Sequence, residues 1–452
     1  MKISVIGCGY LGAVHAAALS SLGHTVTGID TDPARAAQLA AGSAPFHEPG
    51  LEPLLQGGLR DGTLRFTTDP AAAAGADVHF LCVGTPQEKT TRRADLGYVT
   101  SAVRDLAAHL RPGSTVVGKS TVPAGTSAIL TRLLAGTGAD LGWNPEFLRQ
   151  GTAVADSLQP DRLVYGVPDG AAGARVARVL DEVYAPLLRD GVPRLITGLA
   201  TAELTKSAAN AFLALKISYL NGIAELCENA GGDVVHLARA LGLDARIGPR
   251  YLQAGAGFGG GCLPKDIRSL QAQAEDAGAG SLGRLLALVD TLNTETRHRI
   301  HEAARQMCGG QLAGRRITVL GAAFKPDTDD IRDSPALDIA LRLAGSGAVV
   351  TVTDPRAAGQ PWFRYPELRF EPDTAAALRG AELTVLLTEW AEYLALDPRE
   401  VSSLVDRCAV LDGRNALDAA AWRSAGWFHR GIGRGRRAGL STVDAAHSGV
   451  GS

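Results

Sequence analysis

The chain opens with a short β-branched run, residues 3–6, that passes straight into Gly7-Cys8-Gly9-Tyr10-Leu11-Gly12 and then into an alanine-rich helical stretch. No other feature constrains the fold as much. The first glycine permits a tight turn, the second lets the backbone approach a pyrophosphate, and the third brings helix against strand. The N-terminus of the following helix offers unpaired N–H groups and a partial positive charge to phosphates. Glycine-rich turns are common, but this one has the strand-turn-helix setting, and Asp30 closes the second β-rich run at residues 25–29. A carboxylate there accepts hydrogen bonds from a ribose diol and repels a 2′-phosphate, so NAD is expected over NADP. Arg35 nearby weakens that preference.

Beyond this unit, β-rich runs at residues 78–83 and 115–117 alternate with helical patterns such as 13–21 and 34–41. Alternation of this kind implies βαβ units and a parallel sheet. From about residue 201 to 308 the apolar residues follow a helical period, and 202–229 contains no proline and one glycine, which predicts a single long helix. Strand signals return at 316–320, 349–353, 383–387 and 409–411, predicting a second, smaller doubly wound unit and a coarse pseudo-duplication. The expected organisation is an α/β chain in three parts. Residues 1–200 form a Rossmann dinucleotide-binding domain, 201–310 a helical domain built on the long helix, and 311–435 a Rossmann-like domain. Residues 436–452, rich in Gly, Arg and Ser, read as a poorly ordered tail.

A length of 452 residues calls for two or three domains, and 46% apolar with 20% charged residues is globular composition. The 45 basic and 47 acidic side chains balance to −2, which argues against a dedicated nucleic-acid or membrane surface. Six scattered cysteines form no CxxC pair and no Cys/His cluster, so neither a disulfide framework nor a metal site is expected. With no long apolar run and no signal peptide, the expected compartment is the cytoplasm.

The chemistry concentrates in Gly257-Phe258-Gly259-Gly260-Gly261-Cys262-Leu263-Pro264-Lys265-Asp266. The glycines let the backbone fold around a ligand, and Pro264 is suited to open a helix. Cys262 is then expected at a helix N-terminus beside Lys265, both of which lower a thiol pKa. The other five cysteines read as small core residues. Lys206 and Asn210 stand i, i+4 on the long helix among apolar neighbours, a pair suited to holding an oxyanion if buried and otherwise a solvated edge. The segment 144–150, Asn-Pro-Glu-Phe-Leu-Arg-Gln, presents Glu146 near a strand end. Val83-Gly84-Thr85-Pro86 and Ser120-Thr121-Val122-Pro123 end two other strands, where ligands of open parallel sheets gather, although each alone is an ordinary turn.

Taken in order, GCGYLG, VGTP, KSTVPAGT, NPEFLRQGTA, ELTKSAANAFLALKIS, GFGGGCLPKD and FKPDTDDIRDSP resemble the UDP-glucose/GDP-mannose dehydrogenase family, over roughly residues 1–415. The resemblance implies two successive NAD-dependent oxidations of a nucleotide-hexose at C6, UDP-glucose being favoured, through a thiohemiacetal and a thioester on Cys262. It implies that Lys206 and Asn210 stabilise the oxyanion, that Asp266 and Thr121 handle a proton and a water, and that Glu146 is the base for hydrolysis. Cofactor contacts are implied for Gly7, Gly9, Tyr10, Leu11, Gly12, Asp30, Arg35, Val83, Gly84, Thr85, Pro86, Ser120, Thr121, Gln150, Lys265 and Arg332. Substrate contacts are implied for Glu146, Phe147, Leu148, Arg149, Lys206, Asn210, Tyr251, Gln253, Gly257, Phe258, Gly259, Phe324, Lys325 and Arg414. Arg246 is expected to reach substrate too, across a dimer interface formed by the helical middle of a homodimer or higher homo-oligomer.

One position departs from the family pattern, which usually has a second glutamate where this chain has Gln150. A neutral amide cannot act as a base, so Gln150 is expected to shape binding and leave Glu146 as the essential carboxylate. Alternatives on the same chemistry are dTDP-glucose, GDP-mannose and the N-acetylated UDP-hexoses. A single-step hydroxyacid dehydrogenase would not need Cys262 in this setting. An inactive NAD-binding scaffold is encouraged by Gln150 alone.

Overall fold

The computed structural model describes residues 1–88, 91–360 and 362–435, and the tail expected at 436–452 lies outside the described residues. The first sheet has eight strands, β1 (Lys2–Ile6), β2 (Thr25–Ile29), β3 (Leu64–Thr67), β4 (Val78–Leu81), β5 (Thr115–Gly118), β6 (Asp140–Trp143), β7 (Leu163–Val167) and β8 (Arg194–Gly198). Their order is β3-β2-β1-β4-β5-β6-β7-β8, so the chain reverses direction of winding between β1 and β4. That switch point is where the carboxyl ends of an open sheet leave a crevice. β1 and β4 are central and largely buried, which is why their residues are mostly apolar.

The sheet is not wholly parallel as the alternating pattern predicts. β6 and β7 run antiparallel through Trp143 and Gly166, while β7 and β8 are parallel to each other. The connection after β6 does not cross back over the sheet. It stays at the carboxyl edge, which keeps Asn144, Glu146 and Gln150 beside the crevice.

The first helix (Tyr10–Ser21) is almost entirely buried and rich in alanine because it lies close against the sheet. A Cβ on Gly12 would stand 1.8 Å from the Gly7 carbonyl oxygen, so only glycine allows this approach. The long helix predicted at 202–229 is a single helix of 32 residues, Leu199–Ala230, about 48 Å long at 1.5 Å per residue. Its buried face carries Glu203, Lys206, Ser207 and Asn210 as well as alanines. A glycine in the left-handed region, Gly231 at φ 76°, ends it. Two further helices, Leu263–Asp276 and Gly280–Met307, pack against it.

The second sheet has six strands, β9 (Arg316–Leu320), β10 (Val349–Thr353), β11 (Arg369–Phe370), β12 (Leu383–Leu386), β13 (Ala409–Asp412) and β14 (Phe428–Gly431), all parallel in the order β11-β10-β9-β12-β13-β14. The pseudo-duplication is visible at atomic level. Asp30, after β2, accepts from Cys8 N at 2.7 Å, and Asp354, after β10, accepts from Ala322 N and Ala323 N at 2.7 and 2.9 Å. In each sheet the second strand's terminal carboxylate pins the loop that follows the first strand. The second loop is much longer, because its helix begins only at Pro335, and this length carries Phe324, Lys325 and Arg332 toward the first sheet.

Glu203 couples the long helix to the first sheet. Its carboxylate is 1% exposed and accepts from Gly125 N at 2.7 Å and Ser127 N at 2.6 Å, the free N–H groups where the helix Thr126–Leu133 begins. Glu203→Ala leaves those donors buried without a partner, and the expected cost is about 1–3 kcal/mol. Urea unfolding should show a lower midpoint with an unchanged slope, and an unchanged midpoint would contradict this coupling.

Candidate active site

The crevice at the switch point, the long helix, the glycine segment 257–262 and the long loop of the second sheet together enclose a cleft of about 1250 Å³. Cys262 immediately precedes the helix Leu263–Asp276 and Pro264 lies in its first turn, as the sequence predicts. Its thiol opens into the cleft while protein surrounds it on the other sides.

Two ion-paired or hydrogen-bonded couples approach this thiol from the long helix. Lys206 Nζ lies 2.8 Å from Glu146 Oε1, both largely buried, and Glu146 Oε2 accepts from Leu148 N at 2.6 Å. Asn210 Nδ2 donates to Asp266 Oδ2 at 2.7 Å, and Lys265 Nζ lies 2.8 Å from Asp266 Oδ1. The i, i+4 pair on the helix therefore lies on a buried face, and the solvated-edge reading is excluded. Burial opposes the charge on Lys206 most strongly, but Glu146, Cys262 and Asp266 together outweigh it and leave the ammonium pKa raised.

The expectation of a lowered Cys262 pKa is overturned. Burial pushes the thiol up, and the Asp266 and Glu146 carboxylates push it further, against the weaker pull of Lys206 and Lys265. Sequence proximity to Lys265 misleads here because Lys265 is turned onto Asp266. The ligand-free site therefore stores a thiol.

The glycine turn fits a dinucleotide. Gly7 has φ 85°, and a Cβ on it would meet Val83 Cα at 3.0 Å, whereas a Cβ on Gly9 would find nothing within 4 Å. Backbone is packed tightly below Gly7 and space is open beside Gly9, as a pyrophosphate approaching the chain requires. Asp30, 6% exposed, accepts from Asp32 N at 2.9 Å and pairs with Arg35 at 3.0 Å. Tyr10 donates to Glu48, whose carboxylate also accepts from Gly151 N and Ala153 N at 2.7 Å each, so the glycine turn is tied to the loop after β6. Thr85 donates to the Thr121 carbonyl at 2.7 Å, joining the turns after β4 and β5.

Leu11, Val83, Gly84, Pro86, Ser120, Thr121, Phe147, Leu148, Arg149, Tyr251, Gly257, Phe258, Gly259 and Lys325 all line the cleft. Gly12 does not, and acts by packing. Gln150 donates to Asp330 at 3.1 Å, and Asp330 pairs with Arg332 at 2.6 Å, so the amide connects the loop after β6 to the second sheet's loop. The Arg332 guanidinium lies over Gly261, where a Cβ would come within 2.5 Å of it. Arg414 lines the cleft, but its N–H groups donate to the carbonyls of Leu387, Gly257 and Phe324, and it staples three segments together.

Two expected substrate contacts are not brought to the cleft by their own chain. Arg246 is exposed and paired with Asp244 at 2.6 Å, and Gln253 is exposed outside the lining. Arg246 lies just past the end of a short helix, Val234–Gly242, outside the cleft lining. Sequence reasoning in turn missed Glu48, Glu203, Lys119 and Asn144. The last three stand inside or beside quoted motifs, and the signal was a polar residue among buried neighbours.

The match to known proteins covers all three parts. Residues 1–188 match the UDP-glucose/GDP-mannose dehydrogenase family, NAD binding domain; 200–295 its central domain; and 318–419 its UDP binding domain. The chain belongs to the UDP-glucose/GDP-mannose dehydrogenase family. The UDP-glucose 6-dehydrogenase of Rhizobium meliloti is 40% identical over 439 residues, 96% of this chain and all of that one. A UDP-glucose dehydrogenase structure from the hyperthermophilic archaeon Pyrobaculum islandicum superposes with a TM-score of 0.84 at 36% identity, covering 93% of this chain and 95% of that one. The UDP-D-ManNAc dehydrogenase of Pyrococcus horikoshii gives 0.83 at 26% identity, covering 96% and 99%. Among the described residues no His/Cys/Asp/Glu group is arranged to hold a metal ion.

Alkylation of Cys262 reads the stored thiol directly. In the ligand-free protein the iodoacetamide rate at neutral pH should fall below that of an ordinary cysteine and climb only at alkaline pH. Lys206→Met removes a lowering charge and should move the climb higher still. A rate that is already maximal at neutral pH would contradict the site's electrostatics.

Proposed function

We propose that the chain oxidises C6 of a nucleotide-linked hexose, UDP-glucose first among the candidates, from alcohol to carboxylate in two NAD-dependent steps. The observation that carries the proposal is the Cys262 thiol set between the Lys206–Glu146 and Asn210–Asp266 couples in a cleft shared by the glycine turn and the UDP-binding part. The chain divides accordingly into 1–200, 201–310 and 311–435. NAD would be held by the Gly7–Gly12 turn together with Asp30, Arg35, Lys265 and Arg332, and would supply the oxidant for both steps as a hydride acceptor.

The residues do the rest. Asp266, with Thr121 across the cleft, receives the alcohol proton, while Lys206 and Asn210 hold the oxygen as charge develops on it. The Cys262 thiol adds to the aldehyde, its sulfur forming a C–S bond to the carbon and its proton passing to the carbonyl oxygen, which the same two donors hold. After the second oxidation the carbon is a thioester. Glu146 takes a proton from water as the water oxygen bonds to that carbon, the C–S bond breaks, and the thiolate leaves. One alcohol, one water and two NAD thus give one carboxylate, two NADH and three protons. Thiolate suits both roles because it is a soft nucleophile and a good leaving group.

Gln150 supports the division of labour. Its amide bonds to Asp330 at 3.1 Å and orders the loop that carries Arg332, so Glu146 is the carboxylate left to serve as base. An inactive scaffold has no use for two buried charge couples around a thiol. The apolar side chains of Phe212, Tyr219 and Leu226, each more than half exposed on one stripe of the long helix, support a homodimer formed there, with Arg246 serving the partner's site. No helix of the described residues is long and apolar enough to cross a membrane, and all six cysteines are free. Both facts support a cytoplasmic enzyme.

NADH formation against UDP-glucose, dTDP-glucose, GDP-mannose and N-acetylated UDP-hexoses tests the reading. UDP-glucose should give two NADH per sugar, and Cys262→Ser should fail to complete the reaction. NAD binding without NADH from any sugar would overturn the proposal in favour of a scaffold.

A further inference from the structure

Lys119, at the end of β5, takes no part in the steps above, yet it is 7% exposed and lines the cleft. Its ammonium donates to Asn144 Oδ1 at 2.8 Å, an oxygen to which Tyr184 also donates at 2.6 Å. Asn144 is itself fixed, its amide donating to the Val164 carbonyl at 2.9 Å. The rings of Phe80 and Tyr184 each lie with centroids 5.9 Å from the same ammonium. A buried ammonium ordinarily meets a carboxylate. This one has three donors and a single neutral oxygen. Beside it His15, 4% exposed on the first helix and also lining the cleft, leaves Nε2 without a partner.

The surrounding groups come from five elements. Burial lowers Lys119 to about 8, with Cys82 and Glu146 raising it and Lys206 lowering it. Burial, aided by the charge of Lys119, pushes His15 well down. Burial pushes Cys82 up to about 12 and raises Tyr184 well above the usual phenol range. Of His15, Cys82, Tyr184 and Lys119, only Lys119 therefore changes charge near neutral pH. The reaction proposed above releases three protons per sugar and consumes a water.

We propose that the polar chamber on the Asn144 side of Glu146, bounded by Lys119, Asn144, Tyr184 and His15, holds ordered water and takes the proton of thioester hydrolysis from Glu146, with the neutral Lys119 amine as its acceptor. The inference rests on the covalent oxidation proposed above. Glu146 gains its proton from the attacking water. That proton passes through the chamber's water to the Lys119 amine, which becomes an ammonium and later returns it to solvent. The unpartnered His15 Nε2 anchors the water. Lys119 acts through Glu146, so it is a positioning and relay residue.

The sign follows from the lowered Lys119 pKa. Below it the amine is already protonated and the relay is blocked, and above it the relay is open. Loss of acyl-Cys262, followed by rapid quench and intact mass between about pH 6.5 and 9.5, should accelerate with an inflection near 8 in the parent protein. Lys119→Met should form the acyl-enzyme, lose it about tenfold more slowly at the alkaline end, and show no inflection. His15→Phe, which fills the chamber and leaves Lys119 in place, gives a second arm should Lys119→Met fail to fold, and should also slow hydrolysis. Parent-like hydrolysis and inflection in the variants would overturn the relay. A parent protein that never carries an acyl group on Cys262 would overturn the covalent reading itself, a result distinguishable by mass.

Discussion

The buried polar face of the helix Leu199–Ala230 obliges the rest of the molecule to meet it. Glu203, Lys206 and Asn210 are each less than a tenth exposed, and a buried charge or amide without a partner costs more than most single contacts return. Their partners come from three separate places. The N–H groups at Gly125 and Ser127 follow β5, Glu146 follows β6, and Asp266 stands on the helix that follows Cys262. Satisfying one helix therefore fixes the first sheet's strand ends and the cysteine in a common frame.

The second sheet repeats the first sheet's local logic and changes its use. Asp30 and Asp354 both pin a strand-end loop through its backbone N–H groups. In the first sheet the loop passes at once into a helix, leaving the open space beside Gly9. In the second it runs on to Ser334 before the helix starts, and the extra length reaches the cleft as Phe324, Lys325 and Arg332. Arg414 then staples this loop to the glycine segment by donating to Phe324 O and Gly257 O at 3.1 Å each. Gln150 adds a link from the first sheet through Asp330. The cofactor turn, the cysteine and the sugar-nucleotide part are thus one hydrogen-bonded unit.

Much of this was legible in the chain. The glycine turn, the single long helix and the start of the cysteine helix at Pro264 all follow from local rules of turn, propensity and capping, and those rules hold here because the segments obey them without tertiary help. Lys206 and Asn210 were legible as a pair because helical spacing is rigid. The failures were tertiary. The antiparallel β6–β7 pairing depends on a connection that stays on one edge, which no periodicity records. The Cys262 pKa depends first on burial and then on Asp266 and Glu146, one of them far away in sequence, and the nearby Lys265 pointed the wrong way because its charge is directed at Asp266. Lys119 opens the KSTVPAGT segment, and a lysine at a strand end reads as a surface residue until its burial is seen.

The account stands on a covalent bond between Cys262 and the substrate carbon, released only when Glu146 activates water. Glu146→Gln keeps the side chain's size while removing the base. Incubated with NAD and UDP-glucose and then analysed by intact mass and peptide mapping, this variant should accumulate a uronyl-nucleotide adduct on Cys262 and stall after a single burst of NADH. Sustained NADH formation at the parent rate with an unmodified Cys262 would contradict the mechanism at its centre.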